Sequence, residues 1–264
     1  MITSTANARV KELVQLQKKS KIRNEQGVFL VEGIKMYQEI PQEQLVKVYV
    51  SETFADRHQE EINRISDKRK LEYLSDHVFQ YVSDTKTPQG ILCVVRQSSY
   101  RLAELLEAKN AHLLVLDNLQ DPGNLGTILR TAEGAGVTGV IISKESVDIY
   151  NPKVIRSTMG SIYRVPFVYV EDLQEVLGQL REHGISTYAA HLDGENSYDK
   201  EDYTKKTAFL IGNEGNGLRK EIADLADTWI RIPMQGQVES LNAAIATSVL
   251  MFEAARQRRN QKQS

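Results

Sequence analysis

Apolar positions along the first hundred residues switch between a helical and an extended period. Residues 6–19 set Val10, Leu13, Val14 and Leu16 on one side, the spacing of an amphipathic helix. The short runs at 28–33 ("VFLVEG"), 45–51 ("LVKVYVS"), 71–75 ("LEYLS") and 90–95 ("GILCVV") predict strands. Residues 33–40 and the charged stretch 55–65 read as helices between them. From 98 to 110 the chain is polar and then helical, which reads as a linker at a domain break.

Beyond the linker the alternation is more regular. The run 112–119 ("HLLVLDNL") is almost continuously apolar, as a strand buried on both faces requires. Leu125, Ile128, Leu129 and Ala132 follow at helix spacing. Strands are predicted at 139–143, 165–170, 186–192, 208–214 and 229–233, and helices at 151–160, 172–183, 218–226 and 241–259. Strand alternating with helix predicts an α/β fold, a parallel sheet with helices on both faces.

Composition narrows the chemistry. With 264 residues, 41% of them hydrophobic, the chain has enough core for one large or two small domains. A single cysteine, Cys93, excludes a disulfide framework and a cysteine zinc cluster. His58, His77, His112, His183 and His191 lack metal-ligand spacing, so no metal is expected. There is no apolar run of about 18 residues and no apolar middle of a signal peptide near Met1, so the chain reads as cytoplasmic. Net charge is −2, but both ends are basic. Arg9, Lys11, Lys18, Lys19, Lys21 and Arg23 stand against Glu12 and Glu25; Arg256, Arg258, Arg259 and Lys262 stand against Glu253. Such ends could touch the phosphates of a nucleic acid, or simply form solvated faces.

Three segments carry candidate chemistry, and a fourth does not. Gly134, Gly136 and Gly139 match G-x-G-x-x-G, but they end a helix and open a strand, the reverse of a dinucleotide site. That counts against a nicotinamide-dependent oxidoreductase. In "DNLQDPGNLGTILRTA" (117–132), Asp121-Pro122-Gly123 makes a turn, Asn124 is placed to cap the helix, and Arg130 sits two turns inside among small and apolar residues. An arginine there calls for a carboxylate or a bound phosphate. In "LIGNEGNGL" (210–218), Gly212, Gly215 and Gly217 allow positive φ or close approach of a ligand, and Glu214 stands among them. In "IPMQGQVESLN" (232–242), Ser240 and Asn242 precede the last helix. One cap needs one such residue, and the capping-box position after Ser240 is Ala243, so one of the two faces a site.

"NLGTILRTA", "IGNEGNGL" and "IPMQGQVESLNAAIATSVLMFE" resemble motifs 1, 2 and 3 of the SpoU (TrmH-like) RNA 2′-O-ribose methyltransferases of the SPOUT class, in the family's order. The first domain resembles the family's L30e-like substrate-binding domain, and its opening 32 residues resemble bacterial members acting on ribosomal RNA. The resemblance implies an α/β architecture: residues 1–98 an L30e-like RNA-binding domain, 99–110 a linker, and 111–264 a parallel-sheet SPOUT domain with a deep trefoil knot. It further implies S-adenosylmethionine as cofactor, a homodimer, and RNA as substrate. Residue by residue, it assigns Asn124, Arg130, Glu214, Ser240 and Asn242 to catalysis, and Gly212, Ile232 and Leu241 to the cofactor.

The implied reaction is transfer of a methyl group to a ribose 2′-hydroxyl, with 23S ribosomal RNA the expected substrate and transfer RNA the alternative. In the family an arginine has been proposed as the base, yet a guanidinium ordinarily stays protonated. Arg130 is therefore expected to hold the target phosphate, ordered by Glu214, Ser240 and Asn242. A non-catalytic RNA-binding or ribosome-assembly protein of the same fold is the rival reading, and cofactor binding without methyl transfer would distinguish it.

Overall fold

A computed structural model describes residues 1–65 and 67–261. Lys262, counted above in the basic tail, lies outside the described residues. The chain divides into two compact units: Met1–Ser98 with Asp148–Tyr163, and Ser99–Val147 with Arg164–Ser264.

The first unit holds a four-stranded mixed sheet. Its strands are β1 (Val28–Glu32), β2 (Leu45–Ser51), β3 (Leu71–Leu74) and β4 (Ile91–Arg96), in the order β1-β4-β2-β3. β4 runs antiparallel to both neighbours, and β2 pairs in parallel with β3. The helix Ala8–Lys18 lays Val10, Leu13 and Leu16 against Leu30, Tyr49 and Leu92 of the sheet. Two helices were not legible in the sequence. Ser20–Gln26 carries little apolar surface and ends at Gly27, a left-handed C-cap (φ 63°). Asp76–Val82 is only two turns long, too short for periodicity to show.

Residues 148–163, expected within the second domain, belong to the first unit. Arg23 explains why. It is 3% exposed, its Nε donates to Asp148 at 3.2 Å, and its Nη1 donates to the carbonyls of Leu16 (2.6 Å) and Gln17 (3.1 Å). Tyr150 packs its ring on Phe29 at 4.6 Å. Arg23 is thus consumed inside the fold and leaves the set of cations that could meet a nucleic acid. Arg9 is likewise paired, with Glu72, whereas Lys11, Lys18 and Lys19 are exposed.

The second unit is a seven-stranded sheet in which every neighbouring pair is parallel. Its strands are β5 (His112–Leu116), β6 (Gly139–Ser143), β7 (Phe167–Val170), β8 (Ser186–Ala190), β9 (Asn196–Ser197), β10 (Thr207–Ile211) and β11 (Thr228–Arg231), ordered β7-β6-β5-β10-β8-β11-β9. Leu113, Val115, Ala208 and Leu210 bury one face in a cluster with Val176, Leu177 and Leu180. Their alternates Leu114, Leu116, Phe209 and Ile211 are also buried, so both faces are covered. The segment read as a linker contains the helix Leu102–Leu106, and Leu105 and Leu106 join this core. It is part of the unit. A Cβ at Gly139 would lie 2.5 Å from Leu105, which is why a glycine opens β6.

β5 and β10 stop earlier than their apolar runs. Asp117 leaves the ladder of β5 to meet Arg219, and Asn118 turns into the left-handed region (φ 54°). The helix expected at 218–226 shrinks to Lys220–Ala223. The last helix runs Ala243–Gln261.

Candidate active site

The loops after β5, β8, β10 and β11 gather at the carboxyl edge of the sheet, where open α/β folds bind ligands. The loops after β8, β10 and β11, with the start of the last helix, line a cavity of about 640 Å³. Gly212, Glu214, Ile232, Ser240 and Leu241 line it. Asn124, Arg130 and Asn242 do not.

The loop after β5 has every amide from 117 to 121 occupied. Asp117 N–H bonds Ile211 O at 2.8 Å, Asn118 N–H bonds Ser143 Oγ at 2.9 Å, and Leu119 N–H bonds Ser146 Oγ at 3.0 Å. Gln120 and Asp121 N–H both donate to the Glu214 carboxylate, at 3.0 and 2.8 Å. No main-chain donor from 117 to 121 is left to water.

Asn124 does not cap the helix Pro122–Ala135. Asp121 does: its Oδ1 accepts from Asn124 N–H at 2.8 Å, with Pro122 in the first turn. The Asn124 side chain is thereby released. Its Nδ2 donates to Glu214 at 3.0 Å, and its Oδ1 accepts from Asn242 Nδ2 at 3.0 Å. Asn242 performs two tasks, because its own Oδ1 also caps the last helix through Ala244 N–H (2.9 Å) and Ile245 N–H (3.3 Å). Ser240 is left exposed at the cavity wall. Burial opposes charge on Glu214, but the bonds from Asn124, Gln120 and Asp121 outweigh it and hold the carboxyl below its usual range.

Arg130 stands differently from its expected place. It is exposed and forms no ion pair among the described residues. Six residues carry the helix roughly 120° round from Asn124, so its guanidinium faces away from the Asn124 bridge. The apolar positions around it in sequence belong to the opposite, buried face: Leu125, Ile128, Leu129 and Ala132.

Of the three loop glycines only Gly217 has positive φ (68°). Gly212 is needed for contact instead: a Cβ there would lie 2.0 Å from Leu218 N and 2.1 Å from Gly217 C. Asn213 and Gly217 exchange backbone bonds of 3.0 and 2.9 Å, closing residues 212–218 into a tight ring. Asn213, Gln120, Asp117 and Arg219 were not singled out in the sequence. The only available signal was polarity at the ends of two apolar runs.

A model of the SpoU rRNA Methylase family matches residues 111–252, over half of the chain. The chain belongs to the SpoU rRNA methylase family. A model of the MRM3-like substrate binding domain matches residues 7–93. Within the SpoU family, the chain is 32% identical over 260 residues to the 23S rRNA (guanosine(2553)-2′-O)-methyltransferase RlmP of Bacillus subtilis, covering 95% of this chain and 97% of that protein. It is 34% identical over 261 residues to an uncharacterized tRNA/rRNA methyltransferase of Synechocystis, covering 97% and 93%. Its structure matches the AdoMet-bound rRNA methyltransferase of Sinorhizobium meliloti with a TM-score of 0.85 at 30% identity, covering 97% of each chain.

The cavity suits S-adenosylmethionine. Gly212 brings bare backbone to its wall, and the partly exposed Ile232 and Leu241 offer an apolar surface for a flat ring. The backbone groups of residues 233–241 form no hydrogen bond among the described residues, which leaves donors and acceptors for the edge of a base. Among the described residues no helix is long and apolar enough to cross a membrane.

Proposed function

We propose that this chain methylates a ribose 2′-hydroxyl of 23S ribosomal RNA, using S-adenosylmethionine. The observation that carries the reading is the bridge Glu214–Asn124–Asn242, which ties all three motifs together at the rim of the cavity. When bound, the cofactor supplies a methyl group on a sulfonium, reactive enough to need orientation more than activation. Gly212, Ile232 and Leu241 hold it in the cavity.

Glu214 keeps its charge and fixes the loop 120–124. Asn124 and Asn242 hold the last helix against that loop. Ser240 offers a hydroxyl at the cavity wall, where a ribose would approach. Arg130, exposed and turned away from the bridge, holds the phosphate of the target nucleotide by charge, since a guanidinium stays protonated. Residues 1–98 grip the RNA through backbone charge and base stacking. The exposed apolar residues Ile245 (50%) and Phe252 (47%) support a homodimer seated on the last helix. The deep trefoil knot belongs to the same reading: β10 lies between β5 and β8, so the chain returns to the middle of the sheet before its last strand and helix. A cytoplasmic location belongs to the same reading.

The test is tritium transfer from labelled S-adenosylmethionine to total RNA of a strain lacking the gene, with wild type beside Arg130→Ala. Label in one fragment of 23S RNA, lost in the variant, is the expected result. Label in transfer RNA would move the substrate. Cofactor binding with no label in naked RNA or immature subunits would overturn the enzymatic reading.

A further inference from the structure

Outside the assigned residues, an ion pair between an exposed arginine and a buried carboxylate adjoins the site. Asp117 is fully buried at the end of β5. Arg219 Nε donates to its Oδ1 at 2.9 Å, Nη2 reaches the same oxygen at 2.6 Å, and Arg219 N–H donates to Oδ2 at 3.1 Å. Arg219 directly follows Leu218, the last residue of the ring that walls the cavity. At the ring's other end, Asn213 Nδ2 donates to Asn118 O at 2.8 Å. Both ends of the ring are therefore bolted to consecutive residues of the loop after β5.

We propose that Arg219 is a positioning residue for the cofactor, holding the 212–218 ring in register with the loop that carries Asn124, through Asp117. Removing a carboxylate from water offsets most of what the pair gains, so such a pair contributes little to stability compared with an apolar substitute. What it supplies is direction. Guanidinium and main-chain bonds from one residue fix the angle at which the ring, having left β10, returns beside the end of β5. Without the guanidinium, the ring keeps its internal Asn213–Gly217 bonds but loses its fixed angle to the sheet. The Leu218 end of the cavity wall then moves, while Glu214 stays bonded to the loop 120–124.

This inference rests on the proposed cofactor site, and the experiment separates the two. S-adenosylmethionine and S-adenosylhomocysteine are titrated calorimetrically into wild type, Arg219→Ala, Arg219→Lys and the double variant Asp117→Asn/Arg219→Gln. The double variant strands no buried charge, so it reports even where Arg219→Ala does not fold. Amide hydrogen exchange of residues 212–218 is followed without ligand. Both cofactor forms should bind about tenfold more weakly to the Ala and double variants, the loss of a charge-assisted contact. Arg219→Lys should recover part of that, and the ring amides should exchange faster. In steady state KM for S-adenosylmethionine should rise while KM for RNA stays unchanged. Unchanged affinity and exchange in the double variant, with only a lower melting temperature, would overturn the proposal and leave the pair merely structural. Wild type that binds neither ligand would overturn the cofactor site itself.

Discussion

The side chains of Asn124 and Glu214, ninety residues apart in sequence, meet at 3.0 Å, and two main-chain amides join them on the same carboxylate. The donor and acceptor roles are not interchangeable: an ionised carboxylate only accepts, so its neighbour must donate. Asn124→Asp keeps the shape and reverses that role. Two carboxylates at this distance cannot both stay charged. Methyl transfer by Asn124→Asp should fall about 100-fold at pH 8 and recover partly near pH 6, where one proton bridges the pair. A pH profile as flat as wild type would show that the bond does not matter to catalysis.

Glu214 also sets an acid limit. Its carboxyl lies below the ordinary value of 4.5 because the native hydrogen bonds favour the charged form. A depressed native pKa contributes stability above the unfolded value and loses it as pH falls through the native one. The melting temperature of wild type should therefore decline below about pH 4.5, partly through this group. In Glu214→Gln the decline should be shallower and the neutral-pH melting temperature lower, because an amide cannot accept all three bonds. Equal slopes in the two proteins would assign the acid limb to other carboxylates.

Asn242 joins a helix cap to the site, and two substitutions separate these tasks. Serine is about as good a cap as asparagine, but too short to reach Asn124 Oδ1. Asn242→Ser should keep its thermal stability and lose activity. Asn242→Ala should lose both, with about 1 kcal/mol removed by the missing cap. If Asn242→Ser is fully active, the contact to Asn124 is dispensable.

Gly212 and Gly215 look alike in sequence and differ in space. A methyl group at Gly212 would collide with the main chain of Gly217 and Leu218, whereas at Gly215 the nearest atom is Asn213 Oδ1 at 3.5 Å. Gly212→Ala should abolish cofactor binding by calorimetry, and Gly215→Ala should bind within about threefold of wild type, a change below 1 kcal/mol. Equal losses would mean that the ring needs flexibility rather than close approach.

The apolar periods identified most strands and the long helices, because a parallel sheet covered on both faces writes continuous runs. They misread the joins. Leu105 and Leu106 looked like linker because their short helix follows a polar stretch and nothing local shows that both join the core of the second unit. Residues 148–163 looked like one more crossover helix, since nothing local shows that Asp148 answers Arg23, 125 positions away. In the site, the family resemblance singled out the motif residues, of which Asn124, Glu214 and Asn242 meet; the cap, expected at Asn124, falls at Asp121, whose proline had read only as a turn. Arg219 was not: one arginine after a glycine turn has many meanings until the buried Asp117 is known.

Arg130 gives the sharpest division between fold and function. It is exposed and forms no ion pair among the described residues, on a helix whose packing uses Leu125, Ile128, Leu129 and Ala132. Replacing a surface side chain without such contacts changes stability by no more than about 0.5 kcal/mol. Arg130→Ala should therefore melt with wild type and bind S-adenosylmethionine equally well, while methyl transfer to RNA falls by about 100-fold or more. Arg130→Lys should keep an intermediate rate, since the charge survives and the planar fork does not. A loss in Arg130→Lys as complete as in Arg130→Ala would show that guanidinium geometry, not charge, aligns the ribose. A marked drop in melting temperature would mean that Arg130 is held by a contact within the assembled protein, and analytical ultracentrifugation of the variant would show whether that contact lies between subunits.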